Sequence, residues 1–301
     1  MDLIEQAAKR LEQLRQAGVD LPRSAAPPIP AGSPQEPERA TSSPSRTAKV
    51  GTTASKAVEV DLEALAAAGF ASPAAPRARI ADEFRIIKRP LIANAFGKGA
   101  APIADGNLIM VTSALPGEGK TFTAINLALS IATELDTTVM LVDADVARPS
   151  VFNTLGLPPS RGLLDVLVDR SVDLSEVLLK TNIENLTLLP SGTQHERATE
   201  LLASEAMNSL LQEMASRYSD RVIIFDSPPL LLTTEARALA THMGQIVMVV
   251  RAESTLRADV EQALATIESC PVKLAVLNQA RNESLGGKYG DGYGYGYGNA
   301  A

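Results

Sequence analysis

Residues 107–121 read NLIMVTSALPGEGKT, an apolar run followed by a loop with two glycines, a lysine and a threonine. The apolar run predicts a buried strand, and the apolar residues after Lys120 predict a helix that continues to Thr133. The loop between them, ALPGEGKT, matches the phosphate-loop pattern with Ala114 in place of the first glycine. Loops of this kind bind phosphate through backbone N–H groups and the positive end of the following helix. The stretch therefore predicts a strand, loop and helix that together hold a phosphate group.

Apolar strand-like runs alternate with helical stretches in the sequence around this loop. The predicted strands cover 107–112, 138–143, 186–189, 222–226, 245–251 and 273–278. The predicted helices cover 120–133, 201–218, 234–242 and 256–269, and another helical pattern begins near residue 80. Buried strands separated by helices are typical of parallel sheets covered on both faces. We predict an α/β fold of the P-loop NTPase class, with a doubly wound, mostly parallel sheet and helices on both faces.

Composition divides the chain into four regions. Residues 1–20 place apolar side chains at helical spacing and predict an amphipathic helix, which either packs on its own domain or docks on a partner. Residues 21–79 hold nine of the 19 prolines and predict a disordered Pro/Ala-rich linker. The phosphate-binding domain is predicted over 80–285, and the glycine-rich residues 286–301 predict a flexible tail.

Charge, cysteine count and hydropathy exclude several classes of protein. The net charge of −7 argues against binding nucleic acid through bulk charge. Cys270 is the only cysteine, which excludes an intrachain disulfide and a cysteine-based zinc site and suits a reducing cytoplasm. The sequence contains no uninterrupted apolar run of membrane-spanning length, so we expect any membrane contact to be peripheral.

Three aspartates follow predicted strands. Asp143 and Asp145 lie in VMLVDADVARPS, and Asp226 ends the strand in VIIFDSPP. Because ligands of doubly wound sheets bind at the carboxyl ends of the strands, we expect all three carboxylates near the phosphate loop. A single aspartate at a strand end often caps a helix or turns the chain. Three of them around a phosphate loop favour a functional site.

The residue types at these positions fit phosphoryl transfer. Lys120 would reach the terminal phosphates, and Thr121 would place its hydroxyl on Mg²⁺. Asp145 and Asp226 suit contacts to Mg²⁺, and Asp143 suits the base that takes a proton from an attacking hydroxyl. The catalytic candidates are Lys120, Asp143, Asp145 and Asp226, and the metal-binding candidates are Thr121, Asp145 and Asp226.

In combination, the motifs ALPGEGKT, LVDADVARPS and IIFDSPPLL, with a tyrosine cluster at the end of the chain, resemble the BY-kinase family of bacterial tyrosine kinases. The resemblance runs from about residue 80 to the C-terminus and points to the cytoplasmic autokinases that accompany exopolysaccharide synthesis. It implies ATP and Mg²⁺ as cofactors, bound by Lys120 and Thr121, with the three aspartates completing the site. It also implies that Asn278 of AVLNQ contacts the adenine ring, although an ordinary strand-end asparagine fits the sequence equally well.

The remaining nucleotide contacts are predicted in the loop and just after the second strand. Arg148 either pairs with a carboxylate or neutralises phosphate charge. The nucleotide-binding candidates are Pro116, Gly117, Glu118, Gly119, Lys120, Thr121, Phe122, Arg148 and Asn278.

Four of the five tyrosines, Tyr289, Tyr293, Tyr295 and Tyr297, lie in the last 13 residues. The glycines between them leave the backbone free to enter an active site, so we predict that they accept phosphate from a neighbouring subunit. Phosphorylation would add about −1.5 to −2 charges per site and oppose insertion of the tail. The alternative is an unmodified low-complexity segment that joins subunits through stacked rings.

Partners are implied by the resemblance alone. The family carries an ExxRxxR helix that assembles subunits into rings, and ADEFRIIKRP offers Asp82, Arg85 and Lys88 at that spacing, which matches in charge but not in residue type. The N-terminal helix and linker resemble the exosortase-linked branch, in which the membrane activator, a polysaccharide chain-length or co-polymerase protein, is a separate polypeptide. We therefore expect a cytoplasmic homo-oligomer that reaches the inner membrane through this partner and regulates exopolysaccharide synthesis or export.

The alternative function is a positioning ATPase of the MinD/ParA kind, built on the same sheet and without kinase activity. Those proteins carry a signature lysine that reaches across a dimer, and Leu115 occupies that position here. The tyrosine cluster, which would give a kinase its acceptor, favours the kinase.

Overall fold

The computed structural model of this 301-residue chain describes residues 56–71 and 79–280. The predictions for the N-terminal helix over 1–20, for most of the linker and for the four tail tyrosines concern residues outside these ranges. Within the described ranges, no helix is both long enough and apolar enough to cross a membrane.

Eight strands and ten helices make up the described residues. The strands are β1 (Lys56–Val58), β2 (Leu108–Ser113), β3 (Thr138–Asp143), β4 (Leu179–Thr181), β5 (Leu186–Leu189), β6 (Arg221–Asp226), β7 (Gln245–Arg251) and β8 (Val272–Asn278). The helices are α1 (Leu62–Ala67), α2 (Arg79–Ala95), α3 (Lys120–Ala132), α4 (Val151–Thr154), α5 (Leu163–Val168), α6 (Leu174–Val177), α7 (Ala198–Leu202), α8 (Glu205–Arg217), α9 (Thr234–Ala240) and α10 (Arg257–Ala265).

The strands form a single sheet in the order β1-β4-β5-β3-β6-β2-β7-β8. Neighbouring strands are parallel except for β4 and β5, which are antiparallel. β2 lies between β6 and β7, and the chain adds strands on both sides of it. The predicted doubly wound, mostly parallel α/β sheet is confirmed.

Successive residues of the central strands belong to two cores on opposite faces of the sheet. Leu108 and Met110 of β2 join the core that contains α8, while Ile109 and Val111 join the core that contains α3. This follows from the alternation of side chains along a strand, and it explains why these strands are continuous apolar runs in the sequence. α3 contacts both α2 and the strands, so residues 123–132 are buried without a break.

Residues 56–71 contradict the linker predicted over 21–79. β1 pairs with β4, and the Asn182 side chain exchanges hydrogen bonds of 2.9 and 3.0 Å with the backbone of Val60. Val60 and Leu65 are 1% and 3% exposed and belong to the core that contains α3. The linker prediction is therefore wrong for this stretch. Its residues VEVDLEALAAAGF carry enough apolar side chains to bury, although the residues around them do not.

The remaining elements differ from the predictions mainly at their ends. The predicted strands match β2, β3, β5, β6, β7 and β8 to within one residue at each end. The predicted helix over 201–218 is wrong as a single helix, since it divides into α7 and α8. The Ser204 hydroxyl accepts a hydrogen bond of 3.3 Å from the N–H of Met207 and so begins α8 as its N-cap.

Lys88 of α2 is 3% exposed, and its ammonium group lies at the C-terminal end of α3. It pairs with Oε1 of Glu134 at 2.8 Å and donates a hydrogen bond to the carbonyl oxygen of Ser130. A cation at this position is favourable because the last carbonyl groups of a helix lack partners within it. Lys88 is therefore bound inside the domain and is not available for the expected subunit contact. Asp82 and Arg85 form an ion pair at the surface, where such a contact would need them.

We expect the substitution Lys88→Ala to lower the free energy of unfolding by about 2 kcal/mol, because it leaves Glu134 and the Ser130 carbonyl without their buried cation. Urea denaturation of the full chain measures this loss. The matched control is Arg85→Ala on the exposed side of the same helix, with an expected change within about 0.5 kcal/mol. Equal losses for both variants would contradict a structural role for the buried ion pair.

Candidate active site

Two aspartates lie side by side on neighbouring strands at the carboxyl edge of the sheet. Asp143 of β3 is in register with Asp226 of β6, and Val111 of β2 is in register with Asp226 on the other side. Neighbouring strands are about 4.8 Å apart. The phosphate loop that follows β2 therefore begins within two strand spacings of both carboxylates, as the sequence predicted.

The phosphate loop turns at two glycines with positive φ. Gly117 has φ of +80° and Gly119 has φ of +96°, in the region that favours glycine. A Cβ atom at Gly119 would also lie 2.0 Å from Nδ2 of Asn278. Position 119 therefore favours glycine for its backbone conformation, and a larger residue there would also displace the Asn278 side chain from the loop.

Five consecutive N–H groups of the phosphate loop, and that of Phe122 after them, have no acceptor among the described residues. The amides of Gly117, Glu118, Gly119, Lys120 and Thr121 donate no hydrogen bond to any residue in the described part of the chain. They run into the first turn of α3, which begins at the N-cap Gly119. Unpaired amides at a helix N-terminus, with a lysine among them, form a site for several negatively charged phosphate oxygens.

The hydroxyl of Thr121 joins the first turn of α3 to the strand ends. It donates a hydrogen bond of 2.7 Å to Oδ2 of Asp226 and lies 2.7 Å from the hydroxyl oxygen of Ser150. Thr121 and Asp226, which were predicted to share a metal ion, are thus in direct contact.

Asp143 is held by the chain that follows its own strand. Its Oδ2 atom accepts hydrogen bonds of 3.1 and 3.0 Å from the N–H groups of Ser150 and Val151, at the start of α4. Its Oδ1 atom is buried and has no hydrogen-bond partner among the described residues, and the same is true of Oδ1 of Asp226. Each carboxylate therefore uses one oxygen to fix its orientation and leaves the other without a partner.

Burial and mutual repulsion shift the ionisation of these carboxyl groups. Burial, followed by the charge of Asp226, raises the pKa of Asp143 from 3.8 to about 8. Burial also raises the pKa of Asp226 to about 7, although the hydrogen bond from Thr121 and the charge of Lys120 oppose the shift. The pKa of Asp145 is raised by burial as well, and Lys120 again opposes the change. The Lys120 charge thus acts on two of the three predicted aspartates.

The residues at this site fit a magnesium ion that is shared with phosphate. The unpaired Oδ1 atom of Asp226 and the Thr121 hydroxyl are hard oxygen atoms of the kind that Mg²⁺ takes as ligands, and the unpaired Oδ1 atom of Asp143 lies on the neighbouring strand. In the ranges that the structure describes, no group of three or more His, Cys, Asp and Glu side chains is placed to hold a metal ion unaided. This agrees with Mg²⁺, which keeps several waters and usually binds one or two carboxylates together with substrate phosphates.

The other predicted nucleotide contacts are distributed unevenly around the loop. Phe122 packs with its ring 4.9 Å from the ring of Phe70, on the side of the core. The Arg148 side chain is exposed, and its backbone N–H donates to Oδ1 of Asp145 at 3.1 Å. Nδ2 of Asn278 donates a hydrogen bond of 2.9 Å to the carbonyl oxygen of Glu118. The structure therefore brings Asn278 to the loop and leaves the side chain of Arg148 at the surface.

Two residues near the site were missed by sequence reasoning. Ser150 supplies an N–H to Asp143 and a hydroxyl beside Thr121, and a serine after an arginine-proline pair gives no signal of that role. Glu235 is 7% exposed in the first turn of α9, and its charge raises the pKa of Asp145. An acidic residue at the start of a helix is common for electrostatic reasons, so the sequence alone does not single it out.

A model of the AAA domain family matches residues 106–279. Tyrosine-protein kinase YwqD of Bacillus subtilis (strain 168) is 34% identical over 172 residues, which cover 56% of this chain and 71% of that protein. Tyrosine-protein kinase wzc of Salmonella typhimurium is 32% identical over 186 residues, which cover 61% of this chain and only 25% of that protein. The similarity thus includes most of the Bacillus protein and about a quarter of the Salmonella one.

The crystal structure of the chimerical protein CapA2B2 matches with a TM-score of 0.56 at 28% identity, over 66% of this chain and 86% of that one. The region matched by the family model contains the phosphate loop and all three aspartates. The resemblance found in the sequence motifs is therefore confirmed, and the chain belongs to the AAA domain family and, within it, to the bacterial tyrosine-protein kinases.

Proposed function

We propose that the chain is an ATP- and Mg²⁺-dependent protein-tyrosine autokinase that phosphorylates its C-terminal tyrosines on another copy of the chain. The observation that carries this proposal is the meeting of five unpaired amides with two buried carboxylate oxygens that also lack partners. Buried polar groups are almost always paired within a protein. The amides suit phosphate oxygens, Oδ1 of Asp226 suits a cation, and Oδ1 of Asp143 suits an incoming proton, so a magnesium-bound nucleotide and its phenol acceptor would use all three.

The phosphate loop binds the nucleotide in this proposal. The N–H groups of residues 117–121 would donate hydrogen bonds to the phosphate oxygens, and the ammonium group of Lys120 would lie beside the terminal phosphates. The Asn278 side chain donates a hydrogen bond to the carbonyl oxygen of Glu118 in the same loop, and from this position it can also contact the adenine ring of the nucleotide.

Thr121, Asp145 and Asp226 would hold Mg²⁺ in this proposal. The Thr121 hydroxyl and the Asp226 carboxylate are already in contact. The positive charge of Lys120 opposes the rise in the pKa of both Asp145 and Asp226, so both carboxylates lie within reach of the same ammonium group. The bound ion would neutralise charge on the phosphate oxygens and orient them for in-line transfer.

Asp143 is the base. The phenol oxygen attacks the γ-phosphorus, the bond to the β-phosphate oxygen breaks, and the phenol proton passes to Oδ1 of Asp143, which has no other partner. Asp143 must be ionised to act as a base, which a nearby bound cation would favour, and a carboxylate with a raised pKa then accepts a proton from a phenol more readily than an ordinary carboxylate does. The N–H groups of Ser150 and Val151 keep this group oriented during the transfer.

The acceptors are Tyr289, Tyr293, Tyr295 and Tyr297. The last described residues, 279 and 280, lie next to the loop, where Nε2 of Gln279 donates to the carbonyl oxygen of Gly117 at 3.4 Å. Tyr289 follows Ala280 by nine residues, a contour length of about 30 Å. Transfer between copies is supported by the family resemblance and by the exposed Asp82–Arg85 pair at the expected subunit contact.

The proposed biological role is regulation of exopolysaccharide synthesis or export from the cytoplasmic side of the inner membrane. The support for this role is the resemblance of the N-terminal helical pattern and the proline-rich residues after it to the exosortase-linked branch, where a membrane-bound polysaccharide co-polymerase is the activator.

Incubation of the purified chain with Mg²⁺ and ATP is expected to place phosphate on the four tail tyrosines. The substitution Lys120→Met should lower this incorporation by at least about a hundredfold, because it removes the cation beside the terminal phosphates. Mass spectrometry of the tail measures the effect, and Lys98→Met on an exposed loop serves as the matched control. Normal ATP hydrolysis with an unmodified tail would instead favour a positioning ATPase.

Transfer between copies is tested by mixing two variants that are each unable to label themselves. One carries Lys120→Met and keeps its tyrosines, and the other keeps Lys120 while all four tail tyrosines are replaced by phenylalanine. We expect phosphotyrosine on the Lys120→Met chain at a rate that rises with the concentration of the second variant. Absence of label in the mixture, with full labelling of the unmodified chain, would show that transfer occurs within one copy.

The raised pKa values predict an unusual pH dependence for the stability of the chain without nucleotide or metal. Because folded Asp143 and Asp226 hold protons up to about pH 8 and 7 while unfolded aspartates release them near pH 4, the contribution of these two groups to stability is lost as the pH rises from about 4 to 8. We expect the free energy of unfolding to fall by more than about 1.4 kcal/mol between pH 5.5 and 8. Urea denaturation across this range measures the slope.

Two controls accompany this measurement. Asp143→Asn and Asp226→Asn should each reduce the slope, since the amide cannot titrate. Addition of Mg²⁺ with ADP should stabilise the chain more at pH 8 than at pH 6, because the cation competes with the proton for the carboxylates. A slope in both variants that is unchanged from that of the unmodified chain would contradict the assignment.

A further inference from the structure

Glu118 has a carboxylate inside the phosphate loop instead of in solvent. The residue is 3% exposed, although it lies among glycines in a loop at the surface edge of the sheet. Its Oε2 atom accepts a hydrogen bond of 2.8 Å from the N–H of Leu115, at the beginning of the same loop. Its Oε1 atom accepts a hydrogen bond from the hydroxyl of Thr255. Both carboxylate oxygens are thus used within the protein, so the expected nucleotide contact of Glu118 is left to its backbone N–H.

Thr255 belongs to the turn that follows β7. Its hydroxyl oxygen accepts the N–H of Arg251 at 3.2 Å, and its own N–H donates to the carbonyl oxygen of Arg251 at 3.1 Å. β7 is hydrogen-bonded to β2, the strand that leads into the phosphate loop. The Glu118–Thr255 hydrogen bond therefore links the loop after β2 to the turn after β7.

A second connection supports the same loop from β8. The N–H of Ala252 donates to the carbonyl oxygen of Asn278 at 2.9 Å, and the Asn278 side chain donates to the carbonyl oxygen of Glu118 at 2.9 Å. The turn after β7, the end of β8 and the phosphate loop are thus joined in a ring of hydrogen bonds. Glu118 is the residue at which both connections meet, one through its side chain and one through its backbone.

The charge of Glu118 opposes direct phosphate binding. A carboxylate near a polyphosphate repels it, so this residue type is unfavourable there unless it performs another task. The loop itself has two glycines at positive φ and five amides that must remain unpaired, and both features leave it free to change shape. A buried carboxylate that accepts two hydrogen bonds restricts that freedom before the ligand arrives.

We propose that Glu118 and Thr255 are a positioning pair that holds the phosphate loop in the shape that receives ATP. This inference rests on the proposed function for the identity of the ligand. The pair acts on binding through the loop and takes no part in the phosphoryl transfer itself. Its loss should therefore weaken nucleotide affinity and raise KM for ATP while leaving kcat nearly unchanged.

The experiment measures ATP affinity by isothermal titration calorimetry in the presence of Mg²⁺ for Thr255→Val, Glu118→Ala and the double variant. Thr255→Val removes the hydroxyl while keeping nearly the same volume, and we expect it to weaken affinity roughly tenfold. Glu118→Ala should weaken affinity by at least as much. The double variant should be no weaker than Glu118→Ala alone, because the two side chains act through one contact.

Two further variants separate positioning from general damage to the fold. Thr255→Ser restores the hydroxyl and should recover affinity to within about twofold of the unmodified chain. Thr241→Val removes an exposed threonine hydroxyl that bonds only within its own turn, and it should leave affinity unchanged. If Glu118→Ala does not fold, the comparison of Thr255→Val with Thr255→Ser still decides the question.

Affinity of Thr255→Val equal to that of the unmodified chain would overturn the inference, and so would additive losses in the double variant or an equal loss of kcat. These outcomes are distinct from failure of the proposed function. An unmodified chain that binds ATP but forms no phosphotyrosine would contradict the kinase and leave the positioning pair intact. An unmodified chain that binds no ATP would contradict both.

Discussion

The parallel pairing of β3 with β6 brings Asp143 and Asp226 to the same level of the sheet, and the rest of the site depends on that pairing. A shift of one residue in either strand would turn its aspartate to the opposite face. The register is fixed by burial, because residues on both faces of these strands are packed into cores. β2 pairs with the other edge of β6, with Val111 beside Asp226, so the phosphate loop opens next to the two carboxylates. The hydrophobic core therefore determines the geometry of a polar site.

This geometry has an electrostatic cost in the absence of ligand. Burial of the two carboxyl groups is the main reason that both hold protons to unusually high pH, and the negative charges of Asp226 at Asp143 and of Asp145 at Asp226 raise the pKa values further. Lys120 and the hydroxyl of Thr121 offset only part of this cost at Asp226, and the amides of Ser150 and Val151 offset part of it at Asp143. A bound cation would offset the remainder. The site is thus a region where the fold gives up stability that a ligand restores.

The sequence was sufficient for the features that depend on local pattern. Continuous apolar strands, the loop glycines and the strand-end aspartates each follow from physical rules that act within ten residues or so. What it missed depends on distant contacts or on very short elements. β1 has three residues and is recognisable only by its pairing with β4. The sequence pattern places Lys88 on the surface of its helix, and its burial follows only from the packing of α2 against α3. The helical spacing of apolar residues continues across Ser204, so the sequence predicted one helix there. The structure divides it because Ser204 caps the start of α8, and a single capping residue does not interrupt the apolar pattern.

The phosphate loop shows why such distant contacts are needed at a binding site. A loop that must keep five amides unpaired for a ligand cannot be made rigid by its own backbone hydrogen bonds, because those bonds would consume the same donors. Its carbonyl groups are the backbone atoms that remain available, and the side chains of Asn278 and Gln279 donate to two of them. The Glu118 side chain takes the amide of Leu115, which lies before the binding amides and is not among them. The supports therefore come from elements far along the chain, and each uses an atom that leaves the donors of the loop free.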